Sequence, residues 1–266
     1  MSNPSFQAQV DAARAYESLF VPALFEQWSA TIADAVNARE GQQVLDVGCG
    51  TGALTREIAA RVGTVGRVVG LDPGAGMLAV AREVEPSIEW QEGVAESLPF
   101  ADESFDAVVS QFALMFFADK RAAVREIVRV LKRSGRFAIA VWDSLDNIPA
   151  FAAEVALLER IAGHEAADAL RAPFQLGDRK ALQTLFSGVH VAAEISAHQG
   201  TAKFSTIRTM VEADLRGWLP LMNIILAEDL IQEILREADD SLGAFTSDDG
   251  RAEFAVSALL VTGTKH

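Results

Sequence analysis

From Gly41 to Trp142, short apolar runs alternate with stretches of helical spacing. QQVLDVG closes an apolar run with an acid and a glycine and predicts a first strand. Residues 52–62 carry helical periodicity. Gly66 to Pro73 predicts strand two, residues 74–84 a helix, and Ile88 to Gly93 strand three. Phe105 to Phe112 predicts strand four, Lys120 to Lys132 a strongly amphipathic helix, and Gly135 to Trp142 strand five. Strands separated by helices of this length make βαβ units and a mostly parallel sheet. Runs such as VVG and AVV suit strands buried on both faces.

The flanks read differently. Residues 5–40 predict helices, with Tyr16, Leu19, Phe20, Ala23 and Leu24 at helical spacing and Pro22 expected to separate two pieces. After Trp142 the alternation becomes irregular. Residues 149–163 and about 178–186 predict helices, Val189 to Ser196 a strand, Lys203 to Ile207 a short strand, and 207–240 largely helix. Phe254 to His266 predicts a final strand. The expected organisation is one domain over 1–266: an N-terminal helical lid at 1–40, a cofactor-binding core at 41–143, substrate-side insertions plus a strand at 144–253, and the final strand at 254–266.

Composition narrows the partners. The chain has 266 residues, half of them hydrophobic, which is ample for a core. Its net charge of −14 repels phosphate backbones and, with no basic run, argues against nucleic acid. The longest mostly apolar stretch, Trp218 to Ala227, is about half of what a spanning helix needs, so no membrane span is expected. Its Leu219–Leu226 part could serve an interface. The N-terminus lacks a basic segment followed by an apolar one, and the single cysteine, Cys49, permits no intrachain disulfide. A cytoplasmic location is the expectation.

The chemistry is concentrated in VLDVGCGTGALT, Val44 to Thr55. Gly48, Gly50 and Gly52 stand at alternate positions in a strand-to-helix turn, where a ligand can approach the backbone without meeting a Cβ. Open α/β sheets bind ligands at that place. The same stretch satisfies the dinucleotide fingerprint through Gly48, Gly50 and Ala53, with Asp72 about 20 residues on. Asp72 ends strand two, where a carboxylate can take the hydroxyls of a ribose. A hydride-transferring, dinucleotide-dependent oxidoreductase therefore stays open. Against it, Asp46 lies in the strand end itself, where a carboxylate suits an ammonium and repels a pyrophosphate. The chain also lacks a Y-x-x-x-K pair.

The combination of VLDVGCGTG, GLDPGAGML, GVAESLPFADESFDAVVSQFALMFF and VREIVRVLKRSGRFAIAVW resembles the small-molecule branch of class I S-adenosylmethionine-dependent methyltransferases, the group of the ubiquinone/menaquinone methyltransferases. YESLFVPALFEQW is also similar to that group. The resemblance is strong over about 40–143 and includes the final strand. It implies an α/β, Rossmann-like three-layer sandwich whose seven-stranded, mostly parallel sheet has its last strand antiparallel, with helical lid insertions. It implies S-adenosyl-L-methionine as cofactor and methyl transfer to a small organic acceptor. By position, Asp46 with Gly48, Cys49 and Gly50 would hold the methionyl part, and Asp72 the ribose hydroxyls. Pro73 and Met77 would pack beside the adenine, with Ala95 and Glu96 at its edge. Gln111 and Phe112 would face the methionyl group and the acceptor, and Tyr16 would close over the cofactor. Val94 departs from the family, which often has an Asp there to reach the adenine amino group.

Methyl transfer from a sulfonium is an in-line displacement, and it needs a base only if the nucleophile carries a proton that must leave. The sequence identifies none. His164, His190 and His198 read as surface or partly packed histidines, His266 as inert, and Cys49 as a small residue in a tight loop. Asp102–Glu103, Asp239–Asp240 and Asp248–Asp249 read as solvated turns. No metal-ligand spacing is present. Phe20, Met115, Trp142 and Trp218 are the candidates for an apolar acceptor pocket, with Phe116, Phe117, Met222 and Trp28 behind them. A protein that binds the cofactor without catalysis remains the alternative.

Overall fold

The structure is a computed structural model that describes residues 5–189 and 191–266. Its centre is a seven-stranded sheet in the order β3-β2-β1-β4-β5-β7-β6. The strands are β1 (Gln43–Val47), β2 (Arg67–Asp72), β3 (Glu89–Glu92), β4 (Phe105–Gln111), β5 (Leu131–Trp142), β6 (Val191–Phe204) and β7 (Ala252–Lys265). β1 to β5 pair in parallel, and β7 runs antiparallel between β5 and β6. The fold is the Rossmann-like sandwich expected, with the last strand reversed.

The inner strands are apolar because both faces are covered. Val44, Leu45 and Val47 of β1, and Val108 and Val109 of β4, are fully buried. α3 (Ala53–Val62), α4 (Ala75–Val84) and α5 (Lys120–Val130) connect them, with α1 (Phe6–Ala15) and α2 (Glu26–Ala35) packed on the same framework. α5 begins at Asp119, whose carboxylate accepts the Ala122 N–H at 2.9 Å. After β1 the chain builds outward through β2 and β3, then returns to place β4 on the other side. This reversal opens a crevice at the carboxyl ends of β1 and β4.

Several elements differ from expectation. Pro22 does not divide the N-terminal helices: residues Tyr16–Phe25 continue as a π-helical stretch through the proline. Pro lacks an N–H and its ring crowds the preceding turn, and widening to longer-range bonds, such as Glu26 N–H to Val21 O, absorbs both. β5 starts earlier than expected, pairing Leu131 with Phe105 before an irregularity resets the register at Arg136. The two strands expected at 189–196 and 203–207 are one long β6, paired with β7 from Val191 to Phe204.

α6 (Pro149–Ile161), α7 (His164–Arg171), α8 (Arg179–Leu185), α9 (Ile207–Ala213), α10 (Leu219–Leu221) and α11 (Glu228–Leu242) complete the helices. A π-helical turn, Asp214–Trp218, joins α9 to α10. The hydrophobic core is continuous from the sheet into these helices. No helix among the described residues is long and apolar enough to cross a membrane. In the 218–227 segment Leu219 is buried, while Ile225 is 85% exposed.

Candidate functional site

The crevice holds a cavity of about 310 Å³. At one end lies the β1–α3 loop. Gly48 and Gly50 have φ of +73° and +55°, the left-handed region that L side chains avoid. A Cβ on Gly48 would also stand 2.3 Å from the Ala113 Cβ. Gly48 and Cys49 donate their N–H groups to Leu71 O at 2.7 and 3.0 Å, which ties the loop to the end of β2. Gly50 N–H donates to Asp72 Oδ2 at 2.9 Å, and Gly74 N–H to Asp72 Oδ1 at 2.7 Å. Asp72 is thus held at the mouth of the loop by two backbone donors. Burial raises its pKa, and those two bonds oppose the rise.

Asp46 is 1% exposed. Its Oδ2 accepts the Thr55 hydroxyl at 2.7 Å, while Oδ1 is buried without a partner. Burial pushes this carboxyl up to about 7, the Thr55 bond opposes the rise, and the charge of Asp72 adds to it. The nearby Thr51 hydroxyl is likewise buried without a partner. A buried carboxylate with one free oxygen, facing a cavity beside a glycine loop, fits the ammonium of a methionyl group. It disfavours a pyrophosphate at the same place.

The expected cofactor residues therefore converge. Tyr16, Asp46, Gly48, Cys49 and Gly50 line the cavity, as do Asp72, Pro73, Met77, Gln111 and Phe112. Burial and the charge of Asp72 push the Tyr16 phenol up. Burial does the same to the Cys49 thiol, so it stays protonated and inert. Ala95 and Glu96 do not line this cavity. Ala95 is buried in the core, and Glu96 turns away to accept the Asp119 N–H at 3.2 Å, just ahead of α5. Val94 is half exposed.

The N-terminal helices are fastened over the loop. Arg56 of α3 pairs with Glu17 at 2.7 Å and donates to Thr51 O at 2.8 Å, so one side chain joins the π-helical stretch to the glycine loop. Gln111, at the end of β4, donates to Phe25 O and accepts the Ser29 hydroxyl, both at 3.3 Å. Phe112 has a φ of +53°, an uncommon conformation for a bulky residue, and its ring stacks on Trp142 at 3.9 Å and 12°.

The other end of the cavity is aromatic. Of the four acceptor-pocket candidates, Phe20, Trp142 and Trp218 line it. Met115 does not: it is buried beneath, and its carbonyl accepts Gln175 Nε2 at 2.9 Å. Trp28 also packs in the core, where its indole donates to Leu24 O. Trp218 is held by its indole N–H on Ala169 O at 2.9 Å and tilts against Phe116. Phe151 of α6, with Leu170, Pro173 and Phe174 beyond α6, adds wall that the sequence did not point to, because nothing local marks these residues as facing a ligand. The same is true of Asp214, a carboxyl set among carbon walls.

The histidines and acidic pairs lie away from the cavity where described, but Asp239 and Asp240, expected in a turn, stand on the solvent face near the end of α11. His164 is exposed and paired with Glu159 and Asp168, and His198 bonds Ser196 at the surface. His190 lies outside the described residues. Asp102 pairs with Arg129 and Glu103 with Arg133, while Asp239, Asp240, Asp248 and Asp249 are exposed. Among the described residues no group of His, Cys, Asp and Glu could hold a metal.

Residues 45–139 match a family described as a methyltransferase domain. The 2-phytyl-1,4-naphtoquinone methyltransferase of Thermosynechococcus vestitus is 42% identical over 119 residues, 44% of this chain and 53% of that protein. The demethylmenaquinone methyltransferase of Renibacterium salmoninarum is 42% identical over 114 residues, 43% of this chain and 47% of that one. The chain spans about half the length of the curated relatives it matches. Among solved structures, the YcgJ protein of Bacillus subtilis aligns with a TM-score of 0.61 at 22% identity, over 90% of this chain and 98% of that one. A methyltransferase of Bacillus halodurans, described as putative, aligns with a TM-score of 0.59 at 20% identity, over 89% and 98%. These likenesses establish the Rossmann-like fold.

Proposed function

We propose that this chain, which carries a class I methyltransferase domain resembling the quinone methyltransferases, transfers a methyl group from S-adenosylmethionine to a small organic acceptor. The observation that carries the reading is the free Oδ1 of buried Asp46, facing the cavity beside the glycine loop. Asp46 would hold the methionyl ammonium, and the loop at Gly48 to Gly50, its backbone fixed on Leu71 and Asp72, would shape the wall beside the methionyl part. Asp72 would take the ribose hydroxyls, with Pro73 and Met77 against the adenine. When bound, the cofactor supplies an electrophilic methyl on a positively charged sulfur.

The protein's own part is alignment and dryness. Tyr16, Phe25 and the stacked Phe112–Trp142 pair exclude water from the junction between the two cavity ends, which lets in-line attack proceed without hydrolysis. The aromatic end suits a flat, apolar acceptor. The relatives named for naphthoquinone and menaquinone methylation support an aromatic ring of that size. The net charge of −14 supports a small molecule over nucleic acid, and the single buried cysteine supports a cytoplasmic setting. The region 144–253 would act with residues 5–40 as walls of one catalytic unit.

Calorimetric titration with S-adenosylhomocysteine and, separately, NADH tests this reading. Micromolar binding of the former, lost in Asp72→Ala, is expected. Binding of NADH alone would overturn it in favour of hydride transfer.

A further inference from the structure

The aromatic end of the cavity contains one pair of groups that cofactor binding does not use. Asp214 opens the π-helical turn after α9 and lines the cavity, yet is only 3% exposed. Glu154 of α6 lies behind it and is fully buried. It stands one turn along the helix from Phe151, which lines the same wall. Neither carboxyl has an ion pair with Arg, Lys or His among the described residues. Asp214 Oδ2 and both oxygens of Glu154 lack a donor from any other side chain or from the backbone.

Two carboxyls facing each other in carbon surroundings coexist only by holding a proton. Burial drives both upward in pKa, Asp214 to about 8 and Glu154 further because the charge of Asp214 adds, so above pH 8 Glu154 keeps its proton and hydrogen-bonds the Asp214 carboxylate. That leaves Asp214 as the acceptor that faces the cavity. A carboxylate has two oxygens and Glu154 can donate to only one, and a buried acceptor left without a donor costs about 1–3 kcal/mol for a neutral group and more for a charged one. Such a cost persists where a ligand supplies the missing donor.

We propose that Asp214, positioned by Glu154, is the acceptor-substrate subsite for a hydroxyl on an aromatic ring, and that it receives that hydroxyl's proton when the oxygen is methylated. The inference rests on the reading of this cavity as a methyl-transfer site. The balance is simple. The substrate O–H bond breaks and its electron pair stays with the oxygen. An oxygen pair forms the bond to the methyl carbon, and the methyl–sulfur bond breaks with its pair leaving on sulfur as the neutral thioether of S-adenosylhomocysteine. The proton forms a new O–H bond on the Asp214 carboxylate, and the substrate gives up one proton for each methyl gained. No oxidant or reductant is needed. A hydroxyl fits better than an ammonium, because the pair already holds a proton and the remaining walls (Trp142, Phe151, Phe174 and Trp218) offer no water to a cation.

The test compares three probes of one shape, 2-naphthol, 2-methoxynaphthalene and 2-(aminomethyl)naphthalene. Binding is measured at mildly alkaline pH with and without S-adenosylhomocysteine. 2-Naphthol is expected to bind the native protein about tenfold more tightly than the methoxy compound, the worth of one hydrogen bond to a charged group. In Asp214→Ala the preference should vanish while affinity for S-adenosylhomocysteine is unchanged. Glu154→Gln, which can still donate to Asp214, should keep most of the preference, and Glu154→Leu should lose it. A merely structural role would move all three probes together. The proposal is overturned if the hydroxyl preference is absent, including absence of binding by all three, if it survives Asp214→Ala, or if the amine binds best. Failure of S-adenosylhomocysteine to bind would sink the methyltransferase reading separately, while the naphthol comparison would still report on Asp214.

Discussion

Asp46→Asn should make the ligand-free protein more stable and unable to hold its cofactor. In the native chain, burial lifts the Asp46 carboxyl from 3.8 to about 7. That gap corresponds to about 4 kcal/mol disfavouring the ionised form in the fold. The sign follows from linkage: a carboxyl whose folded pKa is raised leaves the protein most stable below its unfolded value, near 4. Stability then falls as pH rises toward 7. Above 7 the full cost is present. Asparagine removes the charge and can still accept the Thr55 hydroxyl, but it leaves an amide N–H₂ where Oδ1 has no partner, at a cost of about 1–3 kcal/mol. The net expectation is a gain of about 1–3 kcal/mol at pH 8, shrinking to a loss near pH 4. Urea denaturation at the two pH values measures it, and S-adenosylhomocysteine titration checks the other half. An asparagine variant no more stable than the native protein at pH 8, or one that binds S-adenosylhomocysteine with native affinity, would refute the reasoning.

Other outcomes follow from the same geometry. Gly48→Ala combines a strained φ with a collision against Ala113, so thermal melting should show a loss of about 2 kcal/mol or more, and cofactor affinity should fall with it. Arg56→Ala cuts the link between Glu17 and the glycine loop. Its stability cost should stay near 1 kcal/mol, but hydrogen exchange across Tyr16–Phe25 should rise. Phe112→Ala removes a stacked ring from the junction of the cavity ends, and methyl transfer should fall more steeply than cofactor binding in paired rate and titration measurements.

The cofactor end was legible in the sequence because its chemistry is local. Asp46, Gly48 and Gly50 are neighbours in the chain, and a strand-to-helix glycine turn with an acid before it specifies its own geometry. Asp72 was legible because parallel pairing aligns the ends of β1 and β2. The acceptor end was legible only in part: Phe20, Trp142 and Trp218 stood out as aromatics, while Phe151, Leu170, Pro173 and Phe174 come from separate helical segments whose apolar residues look like any core. Asp214 and Glu154 are single acids in helices, and only the fold shows that they face one another without a cation. Glu96 stands outside the cavity lining. Its carboxylate accepts the Asp119 N–H just ahead of α5, a pairing across 23 residues that no local pattern announces. Pro22 misled because a proline stops an α-helix but not a π-helical stretch.

The sheet order also dictates a timetable for folding. β6 has one neighbour, β7, and residues 205–251 are synthesised between them. While those residues emerge from the ribosome, β6 has no seat in the sheet, and β5 presents an open edge along its outer side. Both are bare hydrogen-bonding rows that could recruit another nascent chain. β7 closes both at once, by sliding between two strands already made. Completion of the sheet is therefore a late, long-range event, and a polypeptide stalled before Ala252 carries two unsatisfied edges instead of none along that seam.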